Sequence, residues 1–284
     1  MLRLTLLMSF LTLLLIFLGD YFGGSQGMLI MLIFSLASNF FMYWHSDKIV
    51  IAQYNAQEVD ASSSPVLYGI VEKLANRGNL PMPRVYIINS AVPNAFATGR
   101  NQNHAAVCVT SGLMNVLSPA EIAGVLGHEL SHVKHGDILI SSIAASMAGV
   151  IATVTRFGMF FGGGDRRNRN PLVNLLVLLL APLAAMIIQM AISRSREYMA
   201  DYSGGILCDN PDALADALAK ISNFASQRTL PHATESTAHM FIISPFSAQD
   251  AKAIFSTHPS TEERIKRLRA VAQELREGKK LEFA

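Results

Sequence analysis

The sequence predicts a mostly helical α+β chain built into a membrane, with about four apolar helices and a polar body containing a small sheet. Three observations predict it. Of 284 residues 51% are hydrophobic and only 15% charged, and the mean hydropathy is +0.32, a balance that leans towards membrane proteins. The apolar residues gather into four runs, two at the N-terminus and two after residue 137. The polar blocks between and after them carry helix-capping signatures and short apolar strands. A net charge of +2 is too small to indicate a polyanion, so nucleic acid is not an expected partner. Cys108 and Cys208 form no CxxC pattern, which excludes a disulfide framework and a cysteine-based metal site.

The first run, Leu4 to Leu18, is uncharged and with its flanks is long enough to span a bilayer. No small-x-small cleavage site follows it, so a retained anchor is expected rather than a signal peptide. The second run, Met28 to Trp44, ends in Tyr43 and Trp44, an aromatic pair suited to the headgroup level. The residues between the runs, 19 to 27, form the expected loop of a tight hairpin, and residues 1–45 make one membrane unit. Residues 46–137 form the first half of the polar body. There, "RVYIINSAVPNAFATGRNQNHAAVCVTSGLM" predicts strands near Val85–Ile88 and Ala105–Thr110 around a turn-rich stretch. The third run, Ile138 to Phe161, is interrupted by Arg156, and the fourth is Leu172 to Ile192. They form a second membrane hairpin over 138–193, and residues 194–284 form the second half of the body.

Arg3, Lys48, Lys134, Arg194 and Arg196 would lie on one side of the membrane, while residues 19–27 hold no Lys or Arg. Both polar blocks are therefore expected in the cytoplasm. The loop "GGGDRRNRNP" opposes this, because a fully spanning third segment would export its arginines. Either the charge bias is outvoted there, or the second hairpin does not fully cross.

"HELSH" matches H-E-x-x-H, with His128 and His132 four apart. On a helix both imidazoles share one face and can share one ion, and Glu129 stands beside them as a proton acceptor. Imidazole suits zinc, which activates water and polarises a carbonyl. Ser118 as N-cap and Glu121 three residues on supply the capping box that starts this helix, and Ile122, Val125 and Leu126 its buried stripe. A chance match on an ordinary helix is the competing reading.

Catalytic zinc takes three protein ligands and one open position. An eleven-residue extension to a third histidine is excluded, since Ile138 stands there. His135 lies two turns from His128, too far to share its ion, and is expected to support the site or face an interface; Asp137 is further still. "SRSREYMAD" offers Glu197 as third ligand, with Asp201 on the same face to hydrogen-bond the far nitrogen of a ligating histidine. Solvated charges on an exposed helix are the alternative. Position favours the ligand: the third run starts just after His132 and the fourth ends just before Glu197, so continuous helices would raise both from one membrane face.

HExxH followed by E-x-x-x-D across a membrane hairpin, with "NAFATG" upstream and "THP…ERI" downstream, resembles the HtpX membrane metalloproteases, relatives of the CAAX prenyl proteases. The likeness runs over essentially the whole chain. It implies a gluzincin-like zinc endopeptidase of the bacterial inner membrane, multi-pass, with its catalytic domain facing the cytoplasm and a role in membrane-protein quality control. Polypeptides, membrane proteins among them, are the implied substrates. Carried over by motif, one zinc per chain goes to His128, His132 and Glu197, and the general base is Glu129.

Enzymes of this kind hold peptide by adding it to a sheet edge, and Asn94, Ala95, Phe96 and Ala97, running on to Thr98, are the candidate edge. A mere hairpin connection is the alternative. "HPSTEERIKRLRAVAQELREG" predicts an amphipathic helix with Ile265, Leu268, Val271 and Leu275 inward and Ser260 and Glu263 as its capping box. His258, just outside its start, is a candidate for stabilising the oxyanion, or else an ordinary surface histidine; Arg264 is a candidate brace. The stretch around His232 and His239 reads as a flap or an insertion. Two rival functions stand: a non-catalytic membrane protein with a structural metal, and a prenyl-peptide protease, for which four spans are few.

Overall fold

The computed structural model describes residues 2–144, 146, 194–227, 242, 259–279 and 283. Most of the third and fourth apolar runs, and His258, lie outside the described residues.

Helix α1 (Leu2–Gln53) is interrupted at Gly24, whose φ of 58° and ψ of −152° suit only glycine. The chain folds back there. In a straight helix Thr12 and Asn39 would stand about 40 Å apart, yet Asn39 Nδ2 donates to Thr12 Oγ1 at 3.0 Å. Gly19 and Gly27 meet across the hairpin so closely that a Cβ on either would strike the other's carbonyl oxygen, at 2.5 and 2.2 Å. Helix therefore runs through most of the residues expected to form the loop, because glycine contacts allow a tighter return than a polar linker would need. Among the described residues one helix, Gly23–Gln53, is long and apolar enough to cross a membrane. Leu29, Ile33, Phe34 and Phe40 on it are exposed.

Four strands follow: β1 (Gln57–Val59), β2 (Arg84–Ile88), β3 (Ala95–Gly99) and β4 (Ala105–Thr110), in spatial order β1-β2-β4-β3. β2 and β4 are parallel, and the two outer pairings are antiparallel. The stretch expected to be turn-rich thus contains a strand, and that strand is the sheet's edge. Alternation assigns the two faces. Val85, Ala95, Ala97, Val107 and Val109 face the main core. Tyr86, Ile88, Phe96, Ala106 and Cys108 pack with Val50 at the end of α1. The end of α1 is thereby one wall of the sheet, and an ion pair between Asp47 and Arg84 at 2.8 Å ties them.

The main core is closed by α2 (Pro65–Arg77), α3 (Ser111–Val116), α4 (Pro119–His135), α5 (Arg194–Leu207), α6 (Pro211–Gln227) and α7 (Thr261–Arg276). α4 starts on the full capping box of Ser118 and Glu121, with Pro119 in its first turn. At the start of α7 only half of the expected box forms: Ser260 caps Glu263 N–H, while the Glu263 carboxylate pairs with Arg267. Its buried face runs Arg264, Leu268, Ala272, rotated from the expected stripe because Arg264 has a buried partner.

Candidate metal centre

α4 lies in the middle of the body between the sheet edge and α5, and two small-residue contacts set its position. Ala95 and Ala97 leave room for it against β3. Gly127 crosses Gly204 of α5: a Cβ at 127 would sit 2.7 Å from the Gly204 carbonyl oxygen, and one at 204 only 2.5 Å from His128 N. Two helices this close can share an ion between short side chains.

At that crossing His128, His132 and Glu197 converge, their ligand atoms all within 4.8 Å of one another. His128 Nε2 and His132 Nε2 are 3.3 Å apart. The Glu197 carboxylate spans both, with Oε2 at 3.7 Å from His128 Nε2 and Oε1 at 3.6 Å from His132 Nε2. Ligands at 2.0–2.1 Å around a tetrahedral ion stand about 3.4 Å from each other, so the spacing fits. The donor chemistry fits too. His132 Nδ1 donates to Asp137 Oδ2 at 3.1 Å, and His128 Nδ1 stands 2.9 Å from Asp201 Oδ1, off the ideal N–H line. With the Nδ1 protons committed there, both Nε2 atoms present lone pairs to one point, beside a carboxylate. Only a cation or a proton relieves that arrangement.

The electrostatics agree. Burial alone would lower His132, but the Asp137 hydrogen bond and the charges of Glu197, Glu129 and Asp137 outweigh it and push it up to about 9. Burial pushes Glu129 above the usual carboxylate range, and both histidines partly offset this. Asp201 is buried, yet Arg264 holds it below that range: Nε and Nη2 donate to its two oxygens at 2.8 and 2.7 Å. Arg264 is 1% exposed and also donates to Ile242 O. Ile242 N in turn donates to Asn94 Oδ1 at 3.3 Å. A chain of polar contacts thus runs from Asn94, at the start of the edge strand, through Ile242, Arg264 and Asp201 to His128.

Glu129 does not join the three ligand atoms. It turns to the edge strand, where Ala97 N–H donates to its Oε2 at 3.0 Å. That amide faces away from β4, so Glu129 takes up the outer side of the edge strand at Ala97. Asn94, 3% exposed, receives the backbone of Thr110 and steadies the strand's start. Ala95, Phe96 and Ala97 are buried within β3. His135, by contrast, is exposed and supports nothing in the site.

Asp137 is the residue that helical spacing misplaces. α4 ends at His135, and Gly136 takes the left-handed conformation at φ 73°. Asp137 N–H then returns to His132 O at 3.0 Å, folding its carboxylate back beneath the ring. A distance counted along a continuous helix does not apply past that glycine, and the Gly-Asp pair after the last histidine was the available signal. Gly127 and Gly204 were equally unread; glycines spaced among helix-forming residues mark a close crossing.

The family model of Peptidase family M48 matches residues 62–272. The chain is 52% identical over 275 residues to a protease HtpX homolog of Methylibium petroleiphilum, covering 95% of this chain and 97% of that one. It is 53% identical over 272 residues to the protease HtpX homolog of Burkholderia thailandensis, covering 94% and 95%. The chain belongs to peptidase family M48. Its fold resembles the crystal structure of S. mikatae Ste24p, with a TM-score of 0.51 at 19% identity, over 90% of this chain and 62% of the Ste24p chain. As an M48 peptidase of the HtpX group, the protein is a membrane-bound metalloprotease, and polypeptides are its substrates.

Proposed function

We propose that this M48 peptidase is a zinc endopeptidase in which His128, His132 and Glu197 hold one zinc ion, Glu129 is the general base and Asp201 orients His128. The observation that carries the reading is the convergence of three ligand atoms within 4.8 Å of one another, beside a second carboxylate that is tied to a sheet edge. Zinc held by His128, His132 and Glu197 would supply Lewis acidity towards the scissile carbonyl and the attacking water. The Ala97 amide fixes Glu129 by Oε2, which leaves Oε1 to take the proton from water and pass it to the leaving amine. Asn94 to Ala97 align the substrate backbone as an added strand, using the outward groups of Ala95 and the outward carbonyl of Ala97. His258 is proposed to stabilise the oxyanion.

The hairpin of residues 1–45 is proposed to anchor the enzyme, with residues 138–193 as a second membrane hairpin between the body halves 46–137 and 194–284. The enzyme is placed in the bacterial inner membrane with its body in the cytoplasm, where misfolded membrane proteins are its substrates and quality control its role. The Trp44 belt and the basic residues flanking the apolar runs support that placement. The test is Glu129→Gln. The variant should keep one zinc per chain while cleavage of a membrane-protein reporter falls about 10²–10⁴-fold. Cleavage at the parent rate would overturn the role of Glu129, and loss of zinc from the variant would move Glu129 into the ligand set.

A further inference from the structure

We infer that Asp137 and Arg196 form a second positioning pair, which holds His132 and Glu197 in the ligating arrangement as Asp201 and Arg264 hold His128. The inference rests on the ligand assignment proposed above. His132 Nδ1 donates to Asp137 Oδ2 at 3.1 Å, and Arg196 Nη1 donates to Asp137 Oδ1 at 2.9 Å. Arg196 directly precedes Glu197, so this contact joins the end of α4 to the start of α5 at the residue next to the third ligand. The bridge spans the whole interval of residues 138–193.

The pattern repeats that of the other histidine: a carboxylate on Nδ1, pinned by an arginine from a distant stretch of chain. The second pair has the harder task. His128 is fixed by packing, at 2% side-chain exposure, whereas His132 is 16% exposed and has more freedom to rotate or exchange tautomer. Asp137 accepts the Nδ1 proton and so keeps the Nε2 lone pair turned to the ion. Arg196 fixes the carboxylate and carries Glu197 to its place. At 25% and 14% exposure the ion pair is shielded enough to hold a geometry rather than exchange with water.

The test uses the full chain in detergent, stripped of metal and titrated with zinc against a chromogenic chelator, with cobalt spectra and metal-free unfolding measured in parallel. Asp137→Asn should weaken zinc binding about 10- to 100-fold and alter the cobalt ligand-field bands, while the metal-free protein unfolds as the parent does. Arg196→Gln should weaken it less, Arg196→Lys should recover most of that loss, and Asp137→Asn with Arg196→Gln should bind no more weakly than Asp137→Asn alone, because the arginine acts through the carboxylate. Parent-like affinity and spectrum in Asp137→Asn overturn the inference, as does full additivity in the double variant. Should Asp137→Asn fail to fold, parent-like affinity in Arg196→Gln overturns it instead. His132→Ala separates the two levels: if it binds zinc as the parent does, the ligand assignment itself falls and takes this inference with it.

Discussion

Arg264 shows how a single residue can be committed to a site it never touches. Its guanidinium is buried, binds both oxygens of Asp201 and reaches the Ile242 carbonyl, so every contact serves to hold other groups. A buried ion pair contributes little against an apolar pair of the same shape, but removing one partner strands the other. Arg264→Ala should therefore cost about 3–5 kcal/mol of stability, read by denaturant unfolding of the metal-free protein, and should weaken zinc binding as well. A loss under about 1 kcal/mol would mean that Asp201 is solvated and that Arg264 braces nothing. Lysine at 264 keeps the charge but cannot donate to both oxygens at once, so it should recover stability only in part.

Between elements, the decisive contact is the crossing of α4 and α5. Glu197 reaches the two histidines because Gly127 and Gly204 let the helices approach to backbone contact. Gly204→Ala must push a Cβ against His128 N, and overpacking of this kind costs about 1–3 kcal/mol. The expected outcome is a lower melting temperature together with weaker zinc binding, since the ligands part as the helices do. Gly69→Ala in α2 is the control: nothing lies within 4 Å of its Cβ, so it should be neutral or stabilising. Equal behaviour of the two variants would show that the crossing does not set the site. What a sequence discloses here follows from range. The capping of α4, its buried stripe and the four-residue spacing of the histidines are local, and all were legible in "SPAEIAGVLGHELSH". The strand at Ala95–Gly99 was half legible: its residues stood out, but its place at the edge depends on β4 inserting beside β2, a non-local pairing. Asp137 was lost because one left-handed glycine invalidates helical counting. Arg264 stood out as a brace, but its burial and its partner Asp201 were not legible, because a buried charge cannot be told from a surface one until its partner is known.

For the molecule as a whole, the end of α1 joins the apolar N-terminal hairpin to the sheet that it walls. Trp44, the chain's single tryptophan, packs with Phe40 and Tyr43, and the Arg100 guanidinium lies 4.5 Å above its ring, one residue past the edge strand. Intrinsic fluorescence thus reports one position. In vesicles Trp44 should be quenched more by lipids brominated near the headgroup than by lipids brominated near the chain ends; the reverse order would place the body deeper than the aromatic pair allows. Ser142 and Ser146, in the first turns of the third apolar run, bond Gly99 and Ser46, so that run also leaves beside the edge strand. The scattering of the pocket along the chain has a consequence in time. A ribosome delivers His128 and His132 first, Glu197 only after the intervening apolar stretch, and Arg264 more than a hundred residues after His128. At roughly 5–20 residues per second, on the order of ten seconds pass before the last brace exists. On the proposed assignment, the nascent chain holds Glu129 during that interval with no finished pocket beside it, and so cannot cut neighbouring chains before its own synthesis is nearly complete.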